Sequence, residues 1–225
     1  MSELAPIIVI AGKDLRQELR SRAVTVATLF FAAITLLVLA FAVSGNGSLL
    51  ADIAPGALWT ALAFAGVISA AQSYAAEGEE NSFEQLLLYP VPRATLYLGK
   101  LLANWLYLAV LAVLMLPVTA VLFGLPVAGS WPLLLLTLLL GTLGFALIAT
   151  FYAALTANLR ARESLLPVLM FPVVVPILLA SVRATSALTQ LGNRELAADW
   201  LQLLVGFDLV YLVTCTAIFR FTVEE

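Results

Sequence analysis

Pro132-Leu133-Leu134-Leu135-Leu136-Thr137-Leu138-Leu139-Leu140-Gly141-Thr142-Leu143-Gly144-Phe145-Ala146-Leu147-Ile148-Ala149-Thr150-Phe151-Tyr152-Ala153-Ala154-Leu155-Thr156-Ala157 contains no charged side chain. A bilayer core about 30 Å thick needs about 20 apolar residues per helix, and this run is longer than that. It is too continuously apolar for the alternating strands of a membrane barrel. Five further stretches of the same kind flank it, so the six predicted spans are 23–43, 54–74, 101–123, 132–157, 165–182 and 200–219. The expected fold is all-α: one polytopic membrane domain covering 1–225.

Composition agrees. Of 225 residues, 63% are hydrophobic and 11% charged, against about 45–50% and about 25% in soluble domains. The mean hydropathy is +1.05. One soluble domain of this size cannot hide that much apolar surface, and disorder needs the opposite composition. The first span has a basic flank, and Ala40-Phe41-Ala42 resembles a signal-peptidase site. Its apolar stretch exceeds the 7–15 residues of a signal peptide, so a retained helix is expected.

Several chemistries are excluded. Histidine is absent, which removes Ser-His and Cys-His dyads, the HExxH zinc site and imidazole ligation of heme. Cys215 is the only cysteine, so no intrachain disulfide can form. The net charge of −3 and the lack of a basic run argue against nucleic acid. No catalytic residue and no metal site are expected.

Lysine and arginine set the orientation. Lys13, Arg16, Arg20 and Arg22 precede the first span, Arg93 and Lys100 precede the third, and Arg160 and Arg162 follow the fourth. Arg220 follows the sixth, and only Arg183 and Arg194 fall on the other side. Nine of the 11 basic residues are then cytoplasmic, with both termini inside.

Two segments outside the spans carry pattern. Over 4–22, Leu4, Ile7, Ile8, Ala11, Leu15 and Leu19 recur at helical spacing, opposite Lys13, Arg16 and Arg20. This reads as a helix on the membrane surface or, more simply, as a basic topology signal. The segment 77–93 begins with Glu77-Gly78-Glu79-Glu80. Ser82 followed three residues later by Gln85 is a capping box, so a helix should begin there. Pro90 ends it and disfavours helical angles at Tyr89. The product is a two-turn helix showing Phe83, Leu86 and Leu87 on one side. Such a ridge fits a groove on another protein, or rests on the bilayer or on the chain's own helices.

The string from Glu77 to Lys100 resembles the coupling-helix segment of ABC-transporter permeases of the drug- and polysaccharide-exporter class. Glu84-Gln85-Leu86-Leu87-Leu88, Pro90, Pro92 and Gly99-Lys100 stand in that order, with Asn81-Ser82 at the usual Gly-Thr. Within that class the chain is similar to the heme exporter protein B family of the cytochrome c maturation system. Asp52-Ile53-Ala54-Pro55-Gly56-Ala57-Leu58-Trp59, the run from Ser82 to Pro92, Leu138–Gly144 and the proline-spaced run from Leu166 to Ile177 carry the likeness. The resemblance implies a transport subunit in the bacterial inner membrane, not an enzyme. It implies a separate cytoplasmic ATPase that holds the ATP, and other membrane subunits of the maturation complex, with a second permease copy as an option. It also places Glu77, Ser82, Phe83, Glu84, Gln85, Leu86, Leu87 and Pro90 at the ATPase-docking surface, and makes heme the cargo of the complex without showing a heme site in this chain. The residues agree on the ATPase. A phosphate-binding loop reads GxxxxGK[ST], and the two Gly-Lys pairs, Gly12-Lys13 and Gly99-Lys100, are followed by Asp14 and Leu101.

Asp208 lies inside the sixth span. A carboxylate at the bilayer centre costs about 2.5–3.5 kcal/mol on insertion scales, so it must face the bundle, be protonated or meet a partner. It reads as a paired structural acid or as a proton relay. Pro167, Pro172 and Pro176 each remove a backbone hydrogen bond in the fifth span, as a moving hinge or as passive kinks. Gly66 and Ala70 form a small-xxx-small pair suited to seating a helix. Beyond them, 183–199 reads as a polar outer segment with Ala184, Leu188 and Leu191 at helical spacing. The alternatives are an ABC exporter of another substrate and an ion-coupled secondary transporter. The latter predicts paired intramembrane acids in two matched halves, and only Asp208 answers.

Overall fold

A computed structural model describes residues 4–79, 92–127, 129–157 and 162–222. Among the described residues seven helices follow in order: α1 (Leu4–Ser21), α2 (Ala23–Ala42), α3 (Gly47–Glu79), α4 (Arg93–Phe123), α5 (Trp131–Thr156), α6 (Arg162–Thr189) and α7 (Arg194–Thr222). No strand occurs among the described residues. Six helices, α2 to α7, are long and apolar enough to cross a membrane, as the sequence predicts.

The helices run further than the apolar windows. The third helix starts at Gly47 rather than near 54, α4 at Arg93 rather than near 101, and α7 at Arg194 rather than near 200. Helix propagation adds one backbone bond per residue once a turn exists, so it continues until a cap ends it. Asn46 Oδ1 accepts the Leu49 N–H at 3.3 Å and Asn193 Oδ1 accepts the Leu196 N–H at 3.0 Å, which caps α3 and α7. The polar segment 183–199 is therefore mostly helix, broken only around Gly192, whose φ of 61° reverses the chain. Ala184 and Leu188 are buried as their spacing implies, while Leu191 is exposed.

The two innermost helices are α3 and α5; in each, 67% of the apolar window is buried, against 17% in α2 and 22% in α7. Phe30, Val38 and Phe41 of α2 and Leu209, Val210 and Val213 of α7 face outward. These apolar faces suit lipid tails, which leaves no hydrophobic drive between helices, so close packing and interhelical hydrogen bonds must hold the bundle. Small residues supply the packing. A Cβ on Gly66 would strike the Phe145 ring, so α3 seats α5 there as the small-residue pair suggests. The bonds form a ladder between α4 and α5. Tyr97 donates to the Leu147 carbonyl at 2.9 Å, Asn104 Nδ2 to Thr150 Oγ1 at 3.0 Å, and Trp105 Nε1 to the Leu139 carbonyl at 3.0 Å.

Pro55 lies inside α3 and has no N–H, so the Ala51 carbonyl four residues back loses its helical donor. Gln190, in the turn between α6 and α7, repairs the gap. Its Nε2 donates to the Ala51 carbonyl at 2.8 Å and to the Asp52 carbonyl at 3.0 Å. The same turn is tied to the α4–α5 connection by Arg194 Nη2, which donates to the Gly129 carbonyl at 2.9 Å.

Candidate functional site

Of the residues predicted to dock an ATPase, Glu77 falls in the last turns of α3. Ser82, Phe83, Glu84, Gln85, Leu86, Leu87 and Pro90 lie outside the described residues. The two stems of that segment, the end of α3 and the start of α4, are described, and α1 lies against them. A Cβ on Gly99 would come within 2.8 Å of Ile10 Cβ and 3.3 Å of the Ile7 carbonyl, so the backbone of α1 rests directly on α4. The apolar face of α1 is thus divided: Ala11 is buried in this contact, while Ile8 and Val9 remain exposed. Arg16 and Arg20 are exposed too.

Lys100 is 1% exposed. Its Nζ lies 3.4 Å from Asp14 Oδ2 on α1 and donates to the Ser73 carbonyl on α3 at 3.3 Å. One ammonium therefore joins three helices. A buried lysine is rare unless it is paired, and here its charge meets a carboxylate and a carbonyl together. Beside it lies a cavity of about 220 Å³, lined by Asp14, Glu18, Ser69, Gln72, Asn104 and Tyr107 among others. Glu18 is not free in it. Its Oε1 accepts from the Thr25 N–H at 2.7 Å and from Thr25 Oγ1 at 2.6 Å, capping the first turn of α2 from across the elbow at Arg22, whose φ is 54°. Tyr107 and Thr28 share a hydrogen bond that ties α4 to α2.

A second polar centre sits in the middle of the bundle. Asp208 lies near the middle of the Arg194–Phe219 span and is 5% exposed. It faces inward, as its cost in lipid requires. Its Oδ1 occupies the space where a Cβ on Gly144 would stand, and Ile177 closes the same notch. Neither carboxylate oxygen has a hydrogen-bond partner among the described residues, and neither does the buried hydroxyl of Ser181. One turn along α5, Gly141 receives the Trp59 ring and Ser181 Oγ in the same manner. Trp59 Nε1 then donates to Thr185 Oγ1 at 3.0 Å. Four helices thus meet at the Gly141–Gly144 face of α5.

Helix α6 continues through Pro167, Pro172 and Pro176. Near the last of these, Tyr211 donates its hydroxyl to the Val173 carbonyl at 3.0 Å. That bond joins α7 to α6 but does not replace the one lost at Pro176, whose orphaned carbonyl is that of Pro172, four residues back. Reading residues alone did not assign roles to Lys100, Asp14, Ser181 or Thr185. The signals were present in Gly99-Lys100 at the edge of an apolar run and in the glycines at 141 and 144, but a spacing does not name the partner.

The bundle, with its stems clamped at one end and its polar centre shut inside, is that of a multi-pass helical membrane protein. The family model of the CcmB protein matches residues 6–224. The chain belongs to that family. It is 36% identical over 190 residues to heme exporter protein B of Pseudomonas aeruginosa, covering 84% of this chain and 80% of the relative. The protein of the same name from Rhodobacter capsulatus is 35% identical over 170 residues, covering 76% and 78%. That from Haemophilus influenzae is 31% identical over 170 residues, covering 76% of both chains.

Proposed function

We propose that this chain is the membrane permease subunit of a heme exporter serving cytochrome c maturation, and that a separate cytoplasmic ATPase docks on the segment 77–93. The family match over residues 6–224 carries the reading. The relatives that bear the name heme exporter protein B are matched over most of their length. The nine-to-two basic asymmetry supports a cytoplasmic position for α1, both termini and the docking segment. No phosphate-binding loop is present in the sequence, so ATP binds the partner and this chain converts the partner's motion into helix movement. Heme is cargo of the complex, and without histidine this chain does not ligate it through imidazole. Other membrane subunits complete the assembly.

The direct test is co-purification of the ATPase. Leu86→Asp removes an apolar contact and adds a charge to desolvate. It should weaken association at least tenfold while the variant still reaches the membrane at the normal level. Glu84→Ala should do less, because an exposed ion pair contributes about 0–1 kcal/mol. Wild-type recovery of the ATPase by both Leu86→Asp and Phe83→Asp would overturn the docking assignment. Orientation is tested by cysteine labelling: a cysteine at Ser48 should react from outside, and cysteines at Asn81 and Glu225 should not.

A further inference from the structure

Ser73 and Lys100 stand on α3 and α4, on either side of the 80–91 segment. The Lys100 ammonium bridges the Ser73 carbonyl and the Asp14 carboxylate. An aliphatic side chain would fill the volume at 100 without the expense of burying a charge. What a charge adds is a fixed register, since its donors are satisfied only when all three helices hold their places. The close approach of Ile10 to Gly99 presses α1 onto α4 at the same level. From there the contact chain runs on. Glu18 holds the first turn of α2 through Thr25, and Tyr107 holds α2 through Thr28.

We infer that Lys100 is a positioning residue that locks α1, α3 and α4 into one body at the stems of the docking segment, so that a displacement applied there reaches α1 and α2 as well as the two stems. The inference rests on the proposal that the ATPase docks on 77–93. It makes α1 a moving part of the coupling apparatus rather than only a membrane anchor. The relay has an order: the segment moves α3 and α4 together, Asp14 carries α1 with Lys100, and the elbow at Arg22 passes the motion to α2.

The test uses the complete complex in its membrane, in cells lacking their own copy of the subunit. The variants are Lys100→Met, Asp14→Asn, and the exchange Asp14→Lys with Lys100→Asp. Three quantities are read: ATPase co-purification, yield of c-type cytochrome, and dipolar broadening between spin labels at Gln17→Cys and Gln72→Cys in a Cys215→Ser background. Gln17 and Gln72 are exposed, on α1 and α3. Lys100→Met should keep the ATPase at the wild-type ratio, lower cytochrome yield at least tenfold, and widen the label distance distribution. Asp14→Asn should lower yield about threefold, and the exchange should recover little of the loss, because Lys100→Asp sets a carboxylate against the Ser73 carbonyl and leaves that carbonyl without its donor. Wild-type yield and unchanged broadening in Lys100→Met overturn the inference and leave docking intact. If Lys100→Met does not accumulate, the same result in Asp14→Asn overturns it. Retention of the ATPase by Leu86→Asp and Phe83→Asp instead removes the docking premise, whatever the Lys100 variants do.

Discussion

Lys100 and Asp208 are both ionisable, both almost fully buried, and housed in opposite ways. Lys100 lies near the end of the bundle, where α1 brings a carboxylate to 3.4 Å and α3 brings a carbonyl to 3.3 Å. Asp208 lies at mid-span, where no described residue offers a hydrogen bond to either oxygen and the space comes from the missing side chain of Gly144. The first site is built from electrostatic complement and the second from shape. Position in the span explains the difference. Near the end of the bundle a second charged helix can reach in, because Asp14 keeps 13% exposure and stays partly solvated. At mid-span another charge would carry the same insertion penalty as the first.

The comparison can be broken first at Lys100. Breaking a buried pair by removing one partner costs about 3–5 kcal/mol. Because Asp14 retains 13% exposure and keeps Lys13 Nζ at 3.9 Å, Lys100→Met should lie at or below the low end, about 3 kcal/mol at most by denaturation in detergent. Lys100→Met with Asp14→Asn should recover part of this, because no partly buried carboxylate is then left to the more distant Lys13. A loss below about 1 kcal/mol in the single variant would mean the pair holds little. The shape site is probed next. Gly144→Ala places a methyl where Asp208 Oδ1 and Ile177 stand, and overpacking of this kind costs about 1–3 kcal/mol. Combining it with Asp208→Ala should be non-additive by at least about 0.5 kcal/mol, since the second change vacates the contested space. Additive losses would show that the notch does not serve the carboxylate.

Smaller effects sharpen the picture. Trp59→Phe removes the 3.0 Å bond to Thr185 Oγ1 and also takes away Cη2 and Cζ3, the atoms that fill the Gly141 notch, so a loss above the ~1 kcal/mol of the bond alone is expected. Thr185→Val leaves the ring in place and should cost less, about 1 kcal/mol, and the pair measured as a cycle should show coupling. The least loss belongs to Tyr211→Phe, which deletes one bond to the Val173 carbonyl. Interhelical bonds in membranes average about 0.6 kcal/mol. A loss several times larger, read by thermal unfolding, would mean that the proline-containing helix depends on that donor.

The fold was legible because its signal is local. Each span declares itself by a long apolar run, as in 132–157, and the basic residues cluster at the loops between alternate pairs of spans. The site was legible only in outline. Asp208 stood out because a carboxylate within an apolar run is costly wherever it points. Lys100 did not stand out, because a lysine at the start of a span is an ordinary interfacial residue until Asp14 is placed beside it. The Pro55 motif was visible as a likeness, yet its physical sense needs Gln190, which lies far along the chain and supplies the missing donor. The boundaries drifted for a related reason. Hydropathy marks where a helix meets lipid, whereas caps such as Asn46 and Asn193 mark where the helix ends.

The amino-acid sequence alone determined that this chain is helical, spans the membrane six times, lacks imidazole and carries no phosphate-binding loop. Those properties follow from solvent transfer and side-chain chemistry, which need no partner. Only the tertiary structure decided that α1 is bolted to α4 over Gly99, that Lys100 answers Asp14 and Ser73, and that Asp208 fills the Gly144 notch. Each of these depends on which helix faces which at a separation of 3–4 Å or less. In lipid that choice is made by close packing and pairwise hydrogen bonds, not by the apolar pattern that every span shares.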